Sequence, residues 1–357
     1  MGLFGFLERK EQIVGIDIGS TGVKLVELDL SGAKPKVLHL ASAPVPADAF
    51  SNYVISKPEA VSEQITKLLE ARGVKTRLAA TSVPGPSVFT KRIKMPTLDR
   101  EELAVNINLE AANFIPHNID AVKLDYHVIG ESGKNQLDVL VVAIKTEILE
   151  SYLEALLGAG VEAAVVDVDT FALQNAFELG YSSQMAKKTT ALVNIGARYA
   201  AVNICRDGQS LFAGDVAVGG KSMTEGIATE LTLSMREAEE QKRKGAGASD
   251  NVKGAIKKQI EQMATELNRQ LSFFWNASGA EEGIDQILLS GGGVAAGLVE
   301  ALNAKTGIAC AALDPFKGVE IGGDIDPVAA KTLAPFATVA TGLALRQPGD
   351  KIYPEGM

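Results

Sequence analysis

Two stretches of this chain spell the same order of secondary structure. Residues 12–18, 23–29 and 36–42 read as three short strands, punctuated by Gly19, Gly22 and Ser31-Gly32. Residues 58–72 then place Val61, Ile65, Leu68 and Leu69 on a helical stripe that Gly73 stops, and residues 77–83 return to strand. The β-β-β-α order recurs at residues 190–195, 200–206 and 210–216, with a tight Asp207-Gly208 turn and a helix from about Lys221. Overlaying the halves sets Gly15-Ile-Asp17-Ile-Gly19-Ser20 on Leu192-Val-Asn194-Ile-Gly196-Ala197. Such a duplication predicts an α/β protein of two related lobes, with any ligand in the cleft between them.

A length of 357 residues, too great for one simple core, agrees with two lobes. The expected division is a first lobe over 1–83, an inserted subdomain over 84–165 and a connecting helix over 166–188. A second lobe over 189–336 and a second connecting helix with a tail over 337–357 complete the chain. The insertion opens with Pro84-Gly-Pro86, contains a helix over 99–112 and closes with a strand over 138–144 and a helix over 146–157. Thr170, Ala172 and Ala176 are small enough for close packing between helices. Residues 251–275 form a long amphipathic helix carrying Val252, Ile256, Ile260, Met263, Leu267, Leu271 and Phe274 on one face. The 244–249 segment before it reads as a flexible joint.

Four groups of residues point to chemistry. In Asp17-Ile-Gly19-Ser20-Thr21-Gly22-Val23-Lys24, a tight turn between buried strands presents backbone N–H groups, and glycines let phosphate oxygens approach. Ser20 and Thr21 add hydroxyl donors, Lys24 a positive charge, and Asp17 could hold a hydrated Mg²⁺. A plain glycine hairpin would look similar, but strand context, Asp17 and Lys24 agree on phosphate. Asn194-Ile-Gly196-Ala197-Arg198 is the matching hairpin of the second half, so the two could clamp a nucleotide's phosphates from both sides. Gly219 and Gly220 are counted with them. The turn Gly291-Gly292-Gly293-Val294, after a buried strand and before a helix over 295–302, could lie flat against an aromatic base. Glu239 and Lys242 share a helical face, either as a solvated ion pair or as partners for a ribose hydroxyl and a purine edge.

These four groups, in this order, resemble the actin-like ATPase superfamily, whose fold is the actin/hexokinase one. Its phosphate 1, phosphate 2 and adenosine motifs correspond to the two hairpins and the glycine turn, and residues 166–177 and 337–345 look like its connecting helices. Within it, the chain is similar to the PilM family of type IV pilus assembly proteins. The similarity lies in Gly15-Ile-Asp-Ile-Gly-Ser20, Val23-Lys-Leu-Val-Glu-Leu28, Glu110-Ala-Ala-Asn-Phe-Ile-Pro116, Asp167-Val-Asp-Thr-Phe-Ala-Leu173 and Ala340-Thr-Gly-Leu-Ala-Leu-Arg346. The 84–165 insertion looks like the extra subdomain that the FtsA and PilM families share. The resemblance implies ATP and Mg²⁺ as cofactors. It also implies a scaffold role whose partner is the N-terminal cytoplasmic peptide of the inner-membrane protein PilN, held beside the insertion. Other pilus inner-membrane or motor components are further candidate partners. FtsA-like cell-division or cytoskeletal proteins are the alternative, but the polar 347–357 end, with Pro348 and Pro354, cannot form a membrane-targeting amphipathic helix.

The chain departs from the superfamily at phosphate 2. Asn194 stands where Asp is usual, and Tyr199 and Ala200 replace a usual hydroxyl residue. Binding of ATP with slow or absent hydrolysis is therefore expected, and no attacking base is identified. Gly220-Lys221-Ser222 mimics the end of a P-loop, yet the required upstream glycine position holds Asp215. His39, His117 and His127 make no metal-ligand spacing, and Cys205 and Cys310 form no paired motif. A net charge of −9 argues against nucleic acid and against bulk attraction to anionic lipid, although Gly2-Leu-Phe-Gly-Phe-Leu7 with Arg9 and Lys10 could touch a membrane surface. No apolar run reaches membrane-spanning length and no signal peptide is visible, so a cytoplasmic protein at the inner face of the inner membrane is expected.

Overall fold

A computed structural model describes residues 11–116, 118–185, 188–277 and 283–350 of the chain. The apolar 2–7 segment with Arg9 and Lys10, His117 and the 351–357 end lie outside the described residues. The chain opens with strands β1 (Val14–Gly19), β2 (Gly22–Asp29) and β3 (Lys36–Pro44), then a small hairpin of β4 (Phe50–Ser51) and β5 (Val54–Ile55). Helix α1 (Pro58–Arg72) follows. Pro58 starts it where no N–H partner is needed, and Gly73, at φ 65°, ends it in the left-handed conformation. Strand β6 (Leu78–Val83) leads to β7 (Val88–Pro96), α2 (Arg100–Ala111), β8 (Val122–Glu131), β9 (Gln136–Lys145), α3 (Thr146–Gly158) and β10 (Glu162–Val168). Helix α4 (Asp169–Met185) enters the second half, which begins with β11 (Thr190–Ile195), β12 (Ala200–Arg206) and β13 (Gln209–Val216). After α5 (Gly220–Leu231), α6 (Met235–Lys244) and α7 (Asp250–Ala277) come β14 (Gln286–Ser290), α8 (Leu298–Thr306) and β15 (Ala309–Ala312). The chain then runs through β16 (Glu320–Ile321), α9 (Pro327–Leu333) and α10 (Thr338–Leu343).

The duplication is visible in the sheets. One has the order β10-β6-β1-β2-β3-β16 and the other β13-β12-β11-β14-β15. In each, the leading strand (β1 or β11) pairs antiparallel with the next strand and parallel with a later one (β6 or β14). Val14, Ile16 and Ile18 of β1 pack under α1 and α3, whereas Ala191, Val193 and Ile195 of β11 pack under α5 and α7. The long helix α7 turns Val252, Ile260, Met263, Leu267, Leu271 and Phe274 inward, and each large apolar side chain so buried contributes roughly 1.5–3 kcal/mol. Ile256 differs from the expected stripe in being only partly buried, because it faces the cleft described below.

Several expected boundaries shift. Helix α3 and strand β10 belong to the first lobe, not to the insertion: Ile148, Tyr152, Ala155 and Leu156 join its core, and β10 pairs with β6. The separate unit is the antiparallel sheet β7-β9-β8, covered by α2 through Leu103 and Ile107. Residues 313–336, assigned by sequence to the second lobe, return largely to the first, where β16 pairs with β3 and Phe316 and Ala330 pack on Val26, Leu28 and Val37. The helix after the glycine turn begins at Leu298, not at 295, and residues 166–168 complete β10 before α4 starts. Gly245–Gly247 form a short 3₁₀ turn at the expected joint. Among the described residues no helix is long and apolar enough to cross a membrane.

The inner faces of the two sheets rest on α4 and α10, which cross each other closely. Leu173 and Phe177 of α4 pack under the second sheet, while Ala340 of α10 packs under the first. At the crossing a Cβ on Gly342 would lie 1.8 Å from the Ala172 carbonyl oxygen. Gly342→Val is expected to lower stability by about 3 kcal/mol or more in urea unfolding, because backbone must move to admit it. Gly254→Ala, on an open face of α7, is expected to raise stability by about 0.5–1 kcal/mol. Equal effects of the two would contradict this packing.

Candidate functional site

The two matching hairpins face each other across a cleft of about 1580 Å³. In the first, Asp17 and Lys24 are cross-strand partners, so their side chains share a face, and Lys24 Nζ lies 3.0 Å from Asp17 Oδ2. Gly19 and Gly22 close the turn, leaving Ser20 and Thr21 at its tip. A Cβ on Gly19 would meet Lys24 Nζ at 2.9 Å, so a side chain there would displace the flexible end of the lysine from over the turn.

The second hairpin is anchored by its own lobe. Gly196 N–H donates to the Tyr199 carbonyl (2.9 Å), Gly220 N–H to the Gly196 carbonyl (3.0 Å) and Lys221 N–H to the Ala197 carbonyl (2.8 Å). The first amides of α5 therefore hold the hairpin in place. From the other side, Gly293 N–H donates to the Ile195 carbonyl (2.8 Å), and Ser290 Oγ donates to Asn194 Oδ1 (3.1 Å). Gly291, at φ 96°, has the Ile195 carbonyl oxygen 2.3 Å from where a Cβ would stand, which excludes any larger residue.

The fourth group is tied to α5. Lys242 Nζ lies 2.6 Å from Glu239 Oε2 and donates to the Gly220 carbonyl (2.9 Å) and to Thr224 Oγ1 (2.7 Å). Thr224 Oγ1 in turn donates to Glu239 Oε2 (2.6 Å). Burial acts to raise the Glu239 carboxyl, but hydrogen bonds from Lys242 and Thr224 and the lysine charge hold it below its ordinary value.

The structure brings most of the sequence-predicted residues together. Ser20, Thr21, Lys24, Gly196, Ala197, Arg198, Gly220, Glu239, Lys242, Gly292, Gly293 and Val294 line the cleft. Asp17, Gly19 and Asn194 line a smaller adjoining cavity of about 90 Å³ behind the hairpins. Gly22, Gly219 and Gly291 line neither; they pack against the carbonyls of Ala43, Ala197 and Ile195 and serve the close approach of backbone to backbone. Gly292 does not present a bare backbone on the side where its Cβ would point, because the Phe336 ring lies there.

Sequence reading missed the side chains that close the small cavity. Asp169, at the start of α4, and Tyr152, on α3, both line it. Tyr199 stands in place of the usual hydroxyl residue, and its phenol hydroxyl donates to Asp169 Oδ2. The other carboxyl oxygen of Asp169 accepts from the Gly85 N–H (2.9 Å). Burial pushes the Asp169 carboxyl up to about 7, against the Tyr199 and Gly85 hydrogen bonds and with help from the Asp17 charge. The Asp167-Val-Asp169 string marked these positions only as part of a family likeness. Among the described residues no three His, Cys, Asp or Glu side chains gather as a metal site, so a cation here would depend on Asp17 and on oxygens from a ligand and water.

A family model described as type IV pilus assembly protein PilM matches residues 15–348. A chain of the solved PilM-PilN type IV pilus biogenesis complex superposes with a TM-score of 0.84 at 28% identity, covering 94% of this chain and 98% of that one. The ethanolamine utilization protein EutJ from Carboxydothermus hydrogenoformans shares the fold, with a TM-score of 0.56 at 16% identity over 94% of this chain and 89% of its own.

The folded protein keeps the Asp169 proton up to about pH 7, whereas the unfolded chain releases it near the ordinary value of 3.8. Between those values the native state binds more protons, so stability contributed at this position falls as pH rises. Asp169→Asn is expected to gain on the unsubstituted protein by on the order of a few kcal/mol between pH 4.5 and 7.5, read from urea unfolding at several pH values. Parallel stability curves for the two proteins would contradict it.

Proposed function

Since this chain belongs to the PilM family of type IV pilus assembly proteins, on the actin-like ATPase fold, we propose that it is a nucleotide-dependent scaffold of pilus assembly. The observation that carries the nucleotide part is the pair of hairpins, one from each lobe, turned toward one cleft. Lys24, with the amides and hydroxyls of Ser20 and Thr21, and the 196–198 turn are the groups that would hold the phosphates of ATP. Gly292, Gly293 and Val294, with Glu239 and Lys242, would hold the nucleoside, beside the exposed Phe336 ring. The cleft exceeds the usual size of a small-molecule site, so a nucleotide fits with space remaining. Asp17 offers one carboxylate to the small cavity, which suits a Mg²⁺ ion held through water and phosphate oxygens.

Bound ATP would supply the polyphosphate that both hairpins grip, and the chain's own residues are arranged to hold it. Asn194 cannot offer a negative charge, and its side-chain oxygen already accepts from Ser290. Slow or absent hydrolysis follows from that residue. With the lobe angle fixed by a shared ligand, the protein's outer surface is fixed as well.

The partner is the N-terminal cytoplasmic peptide of PilN, a reading supported by likeness over 94% of this chain to a chain of the PilM-PilN complex. Its seat is a groove beside the unit formed by β7, α2, β8 and β9, which corresponds to the FtsA-type inserted subdomain. Recruitment by such a peptide would hold the protein at the inner face of the inner membrane without a spanning helix of its own. The cell-division and cytoskeletal alternative is set aside, because the PilM model spans residues 15–348.

Calorimetric titration of a PilN N-terminal peptide into the purified protein, with and without ATP and Mg²⁺, tests the reading. Binding in the micromolar range that strengthens with ATP is expected. Absence of peptide binding in both conditions, while ATP still binds, would remove the pilus reading and leave the fold intact.

A further inference from the structure

The tip of the second hairpin reaches across to the first lobe. Its backbone is fixed by the α5 amides, so Arg198 and Tyr199 project from a rigid mount. The Tyr199 hydroxyl donates to Asp169 at the start of α4, and the Tyr199 ring meets Tyr53 edge-on at 6.3 Å. The Arg198 guanidinium lies 5.3 Å from the centre of the same Tyr53 ring, which belongs to the β4–β5 hairpin. Asp169 is nine-tenths buried and its second oxygen is taken by Gly85 N–H, where β6 leaves the first sheet. Two side chains of the first lobe region, Tyr53 and Asp169, thus converge on two adjacent residues of the second.

All of these residues except Gly85 line the small cavity behind the hairpins. Its charges are unequal in availability. Lys24 is already paired with Asp17, whereas Arg198 has no carboxylate partner among the described residues and rests on an aromatic face. An exposed cation–π contact is worth only about 0.5–1 kcal/mol, less than a charge-assisted hydrogen bond to phosphate. Arg198 is therefore the cation that an anion entering this cavity can recruit at small cost, while Tyr199 keeps the hairpin against the first lobe.

We infer that Arg198 and Tyr199 form a clasp between the lobes, in which Arg198 selects a nucleotide by its terminal phosphate and Tyr199 holds the closed angle. This rests on the nucleotide reading of the same cleft. Arg198 is a specificity residue for tri- over diphosphate, and Tyr199 is a positioning residue that acts through Asp169. The hydroxyl that sequence alone counted as lost is replaced by one that spans the lobes.

The test uses the full chain with Cys205→Ala and Cys310→Ala, carrying spin labels at Ser51→Cys and Glu225→Cys, both exposed and one on each lobe. ATP and ADP are titrated with Mg²⁺, and the distance between the labels is measured by pulsed electron paramagnetic resonance. Arg198→Ala is expected to weaken ATP about tenfold or more and ADP by less than about threefold, the loss of one charge-assisted contact. Arg198→Lys, which keeps the charge, is expected to retain most of the preference for ATP. Tyr199→Phe is expected to broaden the distance distribution toward longer values. If Arg198→Ala weakens ATP and ADP equally, or Tyr199→Phe leaves the distribution unchanged, the clasp is overturned while the nucleotide site stands. If the unsubstituted protein binds neither nucleotide, the cleft reading fails and the clasp with it.

Discussion

Helices α4 and α10 touch backbone to backbone at their crossing: the Gly342 backbone sits on the Ala172 carbonyl, and Gly15 of β1 sits nearly as tightly on the Ala340 carbonyl. Each of these contacts admits only a hydrogen atom where other residues carry a Cβ. Because α4 packs under the second sheet and α10 under the first, the crossing fixes where each sheet stands relative to the other. The turns at the ends of β1 and β11 then meet across one cleft. A shift of an ångström at the crossing would be carried outward to the hairpin tips, since packed interiors transmit displacement and do not absorb it.

What the hairpins present is set by strand register. Pairing Asp17 with Lys24 puts both side chains on one face, and a slip by one residue would turn them to opposite sides. The second hairpin relies on hydrogen bonds from α5 and from the glycine turn after β14, so two separate segments hold a single loop. Glu239 and Lys242 are bound to each other and to Thr224, which orders that end of the cleft. The site is thus built mostly of backbone and of paired side chains, and in the small cavity Arg198 has no carboxylate partner among the described residues.

The duplication was legible because its strands are short, apolar and bounded by glycines at matching positions, a pattern that survives without any knowledge of contacts. The small residues Ala172 and Ala176 likewise announced a close helix crossing, and the apolar stripe of α7 announced its buried face. The limits of the insertion were not legible. Nothing in the amphipathic sequence of α3 says which sheet it covers, and β16, with two residues, leaves no periodicity to read. Asp169, Tyr199 and Phe336 were missed as site residues for a related reason: each is a lone polar or aromatic side chain whose meaning depends on a neighbour more than twenty residues away in sequence. The usual hydroxyl is absent where Tyr199 stands, and position along the chain does not reveal that its phenol reaches Asp169.

The central claim is that one ligand is held by both lobes at once. Hydrogen exchange of backbone amides, followed with and without ATP and Mg²⁺, addresses it directly, because the groups in question are N–H groups whose protection reports local opening. Residues 19–22 of the first hairpin, 196–199 of the second and 291–294 of the glycine turn are predicted to gain protection together when ATP is added. Protection confined to one lobe, or no change in any of the three segments, would contradict the account.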